Sequence, residues 1–549
     1  MFLCPGLTKR LFAGCPSAAG GAPEDDMKKI LCVAITLFLL CSQPVWADIH
    51  ILTINDFHGW VEENGSSPGM AKLAAFIKDY RLTHSDTIVV SGGDNYQGEA
   101  LSNLTLGDLV NALYGLIGLR FSAVGNHEFD WGTEHFDRWN VSGVQYLGAN
   151  IVERRTGQAP SWIKPYAIVQ TGGRKVAFIG LSTRETEGTT APKHLTGLQV
   201  EPAAAAAARW VAYLKQGRDE HGVPDAIVLL THVPSFQDPA SGIIFGDEVS
   251  ELTRLKGVDA VITGHSHRKV SGRHDGVPVV QAACFGKAVG VLRLVFEGSR
   301  LAGITPEVID LKSLAGSLKT DPQVLSVTQS YRKRMSGLID RPVCRLKGDL
   351  PFERSRVEQL TPLGYLICKA IQTQTGAQVT LVNNGSIRRG LKAGVVTYGH
   401  IMGMFPFDDY IVSMRMSGKD LTSLIMAASE GKGMRSCQFA GVRLRVRPRA
   451  GGSPRIEAVE LENGEAIRDE GYYSVAVPDY IFEGGDGHNF AVAQDPRYIY
   501  VQMRDMLVEY LEARRVVDVP DISSVYRTVR TQHRMRPGNA QRETFMERF

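Results

Sequence analysis

Five short segments of the chain bring Asp, Asn and His together with glycine: Asn55-Asp56-Phe57-His58, Gly92-Gly93-Asp94, Gly125-Asn126-His127-Glu128-Phe129-Asp130, Thr231-His232 and Gly264-His265-Ser266-His267. Their side chains offer oxygen and nitrogen donors, the set preferred by divalent ions of borderline hardness. A single histidine of this kind is most often an ordinary core or surface residue. Five such segments in one half of a chain are hard to obtain by accident. The donor number matches two octahedral or five-coordinate ions that share a carboxylate. No Cys-x-x-Cys or Cys/His cluster occurs, so Zn, Mn, Fe or Co on O/N ligands is favoured over a structural thiolate zinc.

Each segment follows or ends a β-rich run. Ile51–Ile54, Thr87–Val90, Phe121–Val124, Ala226–Leu230 and Ala260–Thr263 read as buried strands, as do Lys175–Ile179, Val277–Ala283 and Gly290–Phe296. Helical patterns at Met70–Leu82, Thr105–Leu116 and Pro202–Gln216 lie between them. This predicts α/β layers, with the donor segments at the C-terminal edges of strands, where open α/β sheets bind ligands. The flanking glycines let the backbone approach closely. A polar helical stretch from Asp321 to Leu338, ending near Arg341-Pro342, predicts a linker helix. A second α/β unit then runs from Pro342 to about Asp521, with a helix at Leu363–Gln374, a strand at Gln378–Val382, a Gly-Ser turn and a helix at Ser417–Ser429. The expected domains are 48–320, a linker helix at 321–341, 342–520, and a basic tail at 521–549. The stretch Arg527–Phe549, with six Arg and two Glu, reads as solvated.

The first unit, through Asp56-x-His58, Gly-Gly-Asp94-Asn, Gly-Asn126-His127-Glu-Phe-Asp130, the lone His232 and Gly-His265-Ser-His267, resembles the calcineurin-like metallophosphoesterases. The second unit carries Asn383-Asn384-Gly385-Ser386-Ile387-Arg388, Pro406-Phe407 and Tyr480-Ile-Phe-Glu-Gly-Gly-Asp486-Gly. With it the chain resembles the bacterial periplasmic 5′-nucleotidase/UDP-sugar hydrolase family over about residues 48–520. The resemblance implies a layered α/β metallophosphoesterase sandwich, its β-sheets flanked by helices, with a second α/β substrate-binding domain. It implies two divalent ions (Zn, Mn or Co): Asp56, His58 and His267 for one, Asn126, His232 and His265 for the other, and Asp94 bridging both. Some members have Gln where this chain has His267, which implies a changed metal preference. His127 is then the group that meets the developing phosphoryl charge or protonates the leaving oxygen, with Asp130 orienting its ring. Their three-residue spacing suits a turn or first helical turn. The same resemblance implies a base sandwiched by Phe407 and Tyr480 (Phe in many members), Arg388 on the substrate's charge, Asp486 on the ribose, and Asn384 in the substrate-binding set. Arg389 and an arginine near Arg354–Gln359 are further candidates.

The chemistry follows from the charges. Two ions about 3.5–4 Å apart clamp a phosphoryl group and lower the pKa of a bridging water, which attacks phosphorus in line with the ester bond. The expected activity is hydrolysis of nucleoside 5′-monophosphates to nucleoside and phosphate, extending to UDP-sugars or nucleoside di- and triphosphates. The alternatives are a 2′,3′-cyclic-nucleotide phosphodiesterase or another superfamily hydrolase such as a sulfate thiohydrolase. A nucleotide-binding protein without catalysis is disfavoured because every donor position is filled. With metals on one domain and the base site on the other, domain closure about 321–341 is expected.

Length and composition agree. The 549 residues, 44% apolar and 22% charged, suit two or three globular domains. Lys+Arg 61 against Asp+Glu 58 gives +3, without the basic excess of a nucleic-acid binder. The expected partner is a nucleotide, with no nucleic acid and no stable membrane anchor. Met27, Lys28-Lys29, the apolar run Ile30–Cys41 and Val45-Trp46-Ala47 read as a signal peptide cleaved after Ala47, too short for a comfortable span. This predicts a periplasmic or secreted protein, with residues 1–26 as an upstream extension. Cleavage removes four basic and three acidic side chains, leaving +2. Cys284, Cys344, Cys368 and Cys437 remain, too few for a disulfide scaffold but leaving room for one or two bridges.

Overall fold

The β-rich runs become strands buried on both faces, which is why they read as unbroken apolar stretches. In the computed structural model, which describes residues 48–140, 143–353, 360–430, 436–449 and 452–528, they form two six-stranded sheets. In the first sheet, Ile49–Ile54, Thr87–Ser91, Leu119–Ala123 and Gln145–Leu147 run parallel. Ala288–Glu297 and Arg300–Asp310 extend it antiparallel. In the second sheet, Arg174–Ser182, Ala226–Pro234, Ala260–Gly264 and Val277–Ala282 run parallel, flanked by antiparallel Tyr166–Thr171 and Lys269–His274.

The sheets pack face to face. Ile49, Ile51, Val90 and Phe121 of the first meet Phe178, Val228, Leu230 and Ile262 of the second. Burying each such side chain stabilises the fold by about 1.5–3 kcal/mol. At Gly180 the sheets come too close for any side chain: a Cβ there would lie 2.2 Å from the backbone of Leu147. The outer faces are covered by helices. Leu73 and Ile77 of Gly69–Thr83 and Leu113 and Ile117 of Asp108–Ile117 cover the first sheet. Ala206, Val211 and Leu214 of Ala203–Lys215 and Leu252 of Asp247–Thr253 cover the second. The fold is therefore the layered α/β sandwich that the resemblance implies, with a second α/β unit after it.

The polar stretch after residue 320 is a helix, Pro322–Ile339, capped by the Asp321 carboxylate on Val324 N–H at 2.9 Å. Val324 and Ile339 are buried in the first unit's core, and Lys78 pairs with Asp321 at 2.5 Å. The helix is thus packed onto the first unit rather than standing free between two. In the second unit a five-stranded sheet has the order Cys437–Ala440, Val379–Asn383, Tyr472–Pro478, Tyr410–Ser417, Gln494–Gln502, and helix Pro362–Thr375 packs on it. Two three-stranded sheets complete the unit.

The tail begins later than expected. Tyr526–Thr528 pairs in parallel with Val442–Arg449, Val525 is buried, and the Tyr526 hydroxyl accepts from Leu360 N–H. Residues 523–528 therefore belong to the fold, because their apolar residues close an open sheet edge. The presequence and residues 529–549 lie outside the described residues.

Candidate metal centre and substrate cavity

Parallel pairing brings the C-terminal ends of five strands, from both sheets, to one edge of the sandwich. The turns that leave those strands are unusual. Asp56, His58, Asp94, His265 and His267 all have positive φ, between 50° and 66°, and make up five of the twelve non-glycine residues with positive φ among the described residues. Such backbone costs about 1–3 kcal/mol per residue and persists only where the surroundings over-determine it. Here the loops bond to one another: Asp56 N–H donates to Gly93 O (2.9 Å), His58 N–H to Asp94 O (3.0 Å) and Gly59 N–H to Asn95 O (3.0 Å). Gly125 must lack a side chain, since a Cβ would lie 2.2 Å from Asp94 Oδ1.

Two groups of donors result, Asp56–His58–His267 and Asp94–His232–His265, each with its donor atoms within 4.8 Å of one another. Asp94 lies between them, with Oδ2 3.0 Å from His232 Nε2 and 3.8 Å from His58 Nε2. Asn126 Oδ1 is 3.1 Å from His265 Nδ1, and His267 Nε2 is 3.3 Å from Asp56 Oδ1. The ring tautomers are fixed from behind. His232 Nδ1–H donates to Gly92 O and His58 Nδ1–H to Gln97 O, each at 2.7 Å. The Nε2 atoms therefore face carboxylate oxygen, and His58 Nε2 also lies 3.2 Å from His267 Nε2. His232 Nε2 is buried 3.0 Å from Asp94 Oδ2. Buried carboxylates and imidazole nitrogens converging on one place call for positive charge among them, from a proton on His232 or from metal, so the donor set fits divalent cations.

The protonation equilibria carry the same strain. Burial alone would lower His232, but Asp94 outweighs it and pushes the imidazole up to about 10. Burial would raise Asp94, yet His232 and its histidine neighbours hold it well below the usual carboxylate range. Burial pulls His58 well down.

Behind the donors lies a polar support that the sequence reading did not assign. Glu128 is fully buried and accepts from the backbone N–H of Asp94 (2.8 Å), Asn95 (2.7 Å) and Gly125 (2.7 Å) and from Asn95 Nδ2 (3.0 Å). Burial, then the Asp94 charge, push its carboxyl up to about 7 against those donors. Asn55 Nδ2 donates to Asp56 Oδ2 at 2.6 Å. Glu128 stands inside a motif, so its position was visible; its partners were not.

His127 and Asp130 meet as their spacing suggests. They sit on and just after a 3₁₀ turn, Asn126–Phe129, and His127 Nδ1–H donates to Asp130 Oδ2 at 2.7 Å. The His127 backbone N–H donates to Asp94 Oδ1 at 3.0 Å. The second unit closes over this point. The Phe407 ring lies 5.8 Å from the His127 ring, and Arg388 lies over Phe407 at 5.6 Å. The Tyr480 hydroxyl sits 3.1 Å from Asp486 Oδ1 and 3.0 Å from Gly188 O of the first unit. A cavity of about 490 Å³ is lined from both sides, by Asp94, Asn126, His127, Asp130, His265 and His267 and by Arg388, Phe407, Tyr480 and Asp486.

Two expected substrate-side residues stand outside the cavity wall, and a third lies beyond the described residues. Asn384 opens a 3₁₀ turn that carries its side chain inward, where Oδ1 accepts from Gln438 Nε2 at 2.7 Å, and it does not line the cavity. Asn383 and Ser386 line it instead, with Asn383 Nδ2 donating to Asp486 Oδ2 at 2.7 Å. Arg389 pairs with Glu99 across the two units at 2.7 Å and does not line the cavity either. The Arg354–Gln359 candidate lies outside the described residues. Cys284, Cys344, Cys368 and Cys437 are all buried and free, so the expected room for bridges is not used among them.

Comparison with known proteins follows the same division. The calcineurin-like phosphoesterase family model matches residues 49–269, and the 5′-nucleotidase C-terminal domain model matches residues 342–495. A 5′-nucleotidase of Vibrio parahaemolyticus is 26% identical over 516 residues, which span 85% of this chain and 90% of that protein. Among solved structures, a 5′-nucleotidase precursor from Thermus thermophilus superposes with a TM-score of 0.73 at 24% identity, covering 88% of this chain and 99% of that one. A sulfate thiohydrolase of Thermus thermophilus shares the fold with a TM-score of 0.65 at 18% identity, covering 90% of this chain and 99% of that one.

Proposed function

We infer, for a chain that belongs to the two-domain 5′-nucleotidase family of metal-dependent phosphoesterases, the hydrolysis of nucleoside 5′-monophosphates to nucleoside and phosphate. The observation that carries this reading is the single cavity that joins the donor groups to an aromatic pair. A phosphate seated by Asp94 and His265 then has its base within reach of Phe407 and Tyr480.

In this reading Asp56, His58 and His267 hold one divalent ion, Asn126, His232 and His265 hold the other, and Asp94 is shared. Bound there, the ions would neutralise phosphate charge and acidify the attacking water. The chain's own groups do the rest. Asp130 keeps the proton on His127 Nδ1, so Nε2 is the atom left to serve the leaving oxygen or the developing charge. Arg388 meets the substrate's negative charge, Phe407 and Tyr480 stack the base, and Asp486, held by Asn383 and Tyr480, accepts from the ribose. The identity of the ions (Zn, Mn or Co) and turnover of UDP-sugars or nucleoside polyphosphates extend the same proposal. So does export to the periplasm or medium; no described helix is long and apolar enough to cross a membrane.

The test is phosphate release from AMP, UDP-glucose, 2′,3′-cyclic AMP and p-nitrophenyl phosphate with Mn, Zn or Co added. AMP turnover that Asp94→Asn abolishes and Tyr480→Ala weakens supports the reading. Losing one stacked base costs about 1–3 kcal/mol, or roughly 5- to 150-fold in kcat/KM. Equal turnover of p-nitrophenyl phosphate, untouched by Tyr480→Ala, would sink the nucleotide assignment while leaving the hydrolase.

A further inference from the structure

His265 differs from the other two well-anchored histidines of the site. The rings of His58 and His232 are fixed by main-chain carbonyls, Gln97 O and Gly92 O. The outward nitrogen of His265 is met by a side chain from a segment that carries no motif: Glu185 Oε2 lies 2.9 Å from His265 Nε2. A carboxylate only accepts, so Nε2 carries the hydrogen and Nδ1 is left with its lone pair. That atom is the one on the Asn126 side, 3.1 Å from Oδ1.

The backbone that carries Glu185 is held in place. Glu185 N–H donates to Thr183 Oγ1 at 3.2 Å, and Thr183 in turn donates to the buried Glu248 at 2.6 Å. Five residues on, Thr190 Oγ1 donates to Asn126 O at 3.1 Å. The segment from Thr183 to Thr190 is thus braced on one side by the second sheet's helix and on the other by the loop that carries Asn126.

We propose that Glu185 is a positioning residue: it fixes the tautomer and ring direction of His265 so that Nδ1 is presented to the divalent ion shared with Asp94, His232 and Asn126. This role rests on the two-ion reading of the site. A carboxylate behind a ligating imidazole orients the ring and raises its basicity, and its loss typically weakens metal affinity about 10- to 100-fold.

Isothermal titration of the metal-stripped protein with Mn(II) tests it. The unsubstituted protein is expected to bind two ions. Glu185→Ala should weaken one of the two sites about 10- to 100-fold and leave the other unchanged. Glu185→Gln should lose less, since its amide oxygen still accepts from Nε2–H. Glu187→Ala removes a nearby carboxylate that meets Arg154 instead, and should bind like the unsubstituted protein. Equal melting temperatures of the stripped proteins would show that the fold is intact. Unchanged affinity at both sites in Glu185→Ala, or an equal loss in Glu187→Ala, would overturn the role while leaving the two-ion reading. Fewer than two ions bound by the unsubstituted protein would overturn both.

Discussion

Replacing Glu128 by Gln changes one oxygen into an amino group and nothing in size, so its effect can be worked out bond by bond. Oε2 accepts from the N–H groups of Asp94 and Gly125, and Oε1 from the N–H and Nδ2 of Asn95. The amide would turn its NH2 toward Asn95, because Asn95 Nδ2 keeps a second acceptor, Ser122 Oγ at 2.9 Å. One buried backbone N–H is then left unpaired, at about 1–3 kcal/mol. The two remaining bonds change from charged to neutral, at about 1 kcal/mol each. Against this stands the burial of the charge beside Asp94: the rise from 4.5 to about 7 puts its cost at about 3 kcal/mol, which the neutral amide removes, so the expected net loss is only about 0–2 kcal/mol.

The assay is thermal unfolding at pH 8 in excess chelator, so that the donors carry no ions and Glu128, pushed up to about 7, is ionised. At about 2–4 °C per kcal/mol for a domain of this size, the midpoint should fall by no more than about 8 °C. A fall of about 15 °C or more would refute the reasoning. It would mean that the buried charge of Glu128 costs little and that its hydrogen bonds to the three backbone N–H groups dominate.

Two further outcomes follow from the cavity. Asp130→Asn keeps the size of the orienting group but removes its charge and offers the wrong tautomer to His127. It should lower kcat with little change in KM, by less than the roughly 10²–10⁴-fold expected when a general acid is removed altogether; a changed KM with kcat intact would contradict the dyad. Asp409 lines the same cavity, and burial, then the charge of Asp479, push it up to about 7. Its folded pKa is raised above its ordinary value of 3.8, so the neutral form is favoured and its contribution to stability is lost as pH rises toward and through 7. Ionisation also adds a negative charge where a nucleotide anion binds. KM for AMP should therefore climb between pH 6 and 8, and more steeply than in Asp409→Asn; parallel profiles would remove Asp409 from the account.

What could be read from the sequence was set by locality. The parallel strands are buried on both faces, so Ile51–Ile54 or Ala226–Leu230 stand out as apolar runs, and the donors that leave them are within four residues of the strand end. His127 and Asp130 were legible for the same reason, being three residues apart in one turn. That Asn383 rather than Asn384 faces the cavity could not be read from the sequence, because a strand's facing sense at its last residue, where Val379–Asn383 passes into a 3₁₀ turn, depends on tertiary packing. Glu185 meets His265 across 80 positions, and Arg389 meets Glu99 across 290. No periodicity encodes such meetings. The strand at Tyr526–Thr528 was read as tail because its basic neighbours outweighed two apolar residues whose partner sheet could not be seen.

The division into a metal domain and a base domain, natural from the motifs, is not how the cavity is built. The second unit reaches the metal side: Phe407 lies against His127, and Arg388 lies on Phe407. The first unit reaches the base side: Gly188 O meets the Tyr480 hydroxyl, and Lys193 pairs at 3.2 Å with Asp479, the residue next to Tyr480. Gly188 and Lys193 lie within eight residues of Glu185, whose carboxylate meets His265 at the other end of the cavity. One stretch of the first unit therefore touches both a candidate ligand and the candidate base platform. An isolated first unit would keep every candidate metal donor but lose the wall beside His127. On the proposed reading, the nucleotide would bind at the seam between the units, in a cavity whose wall both units supply.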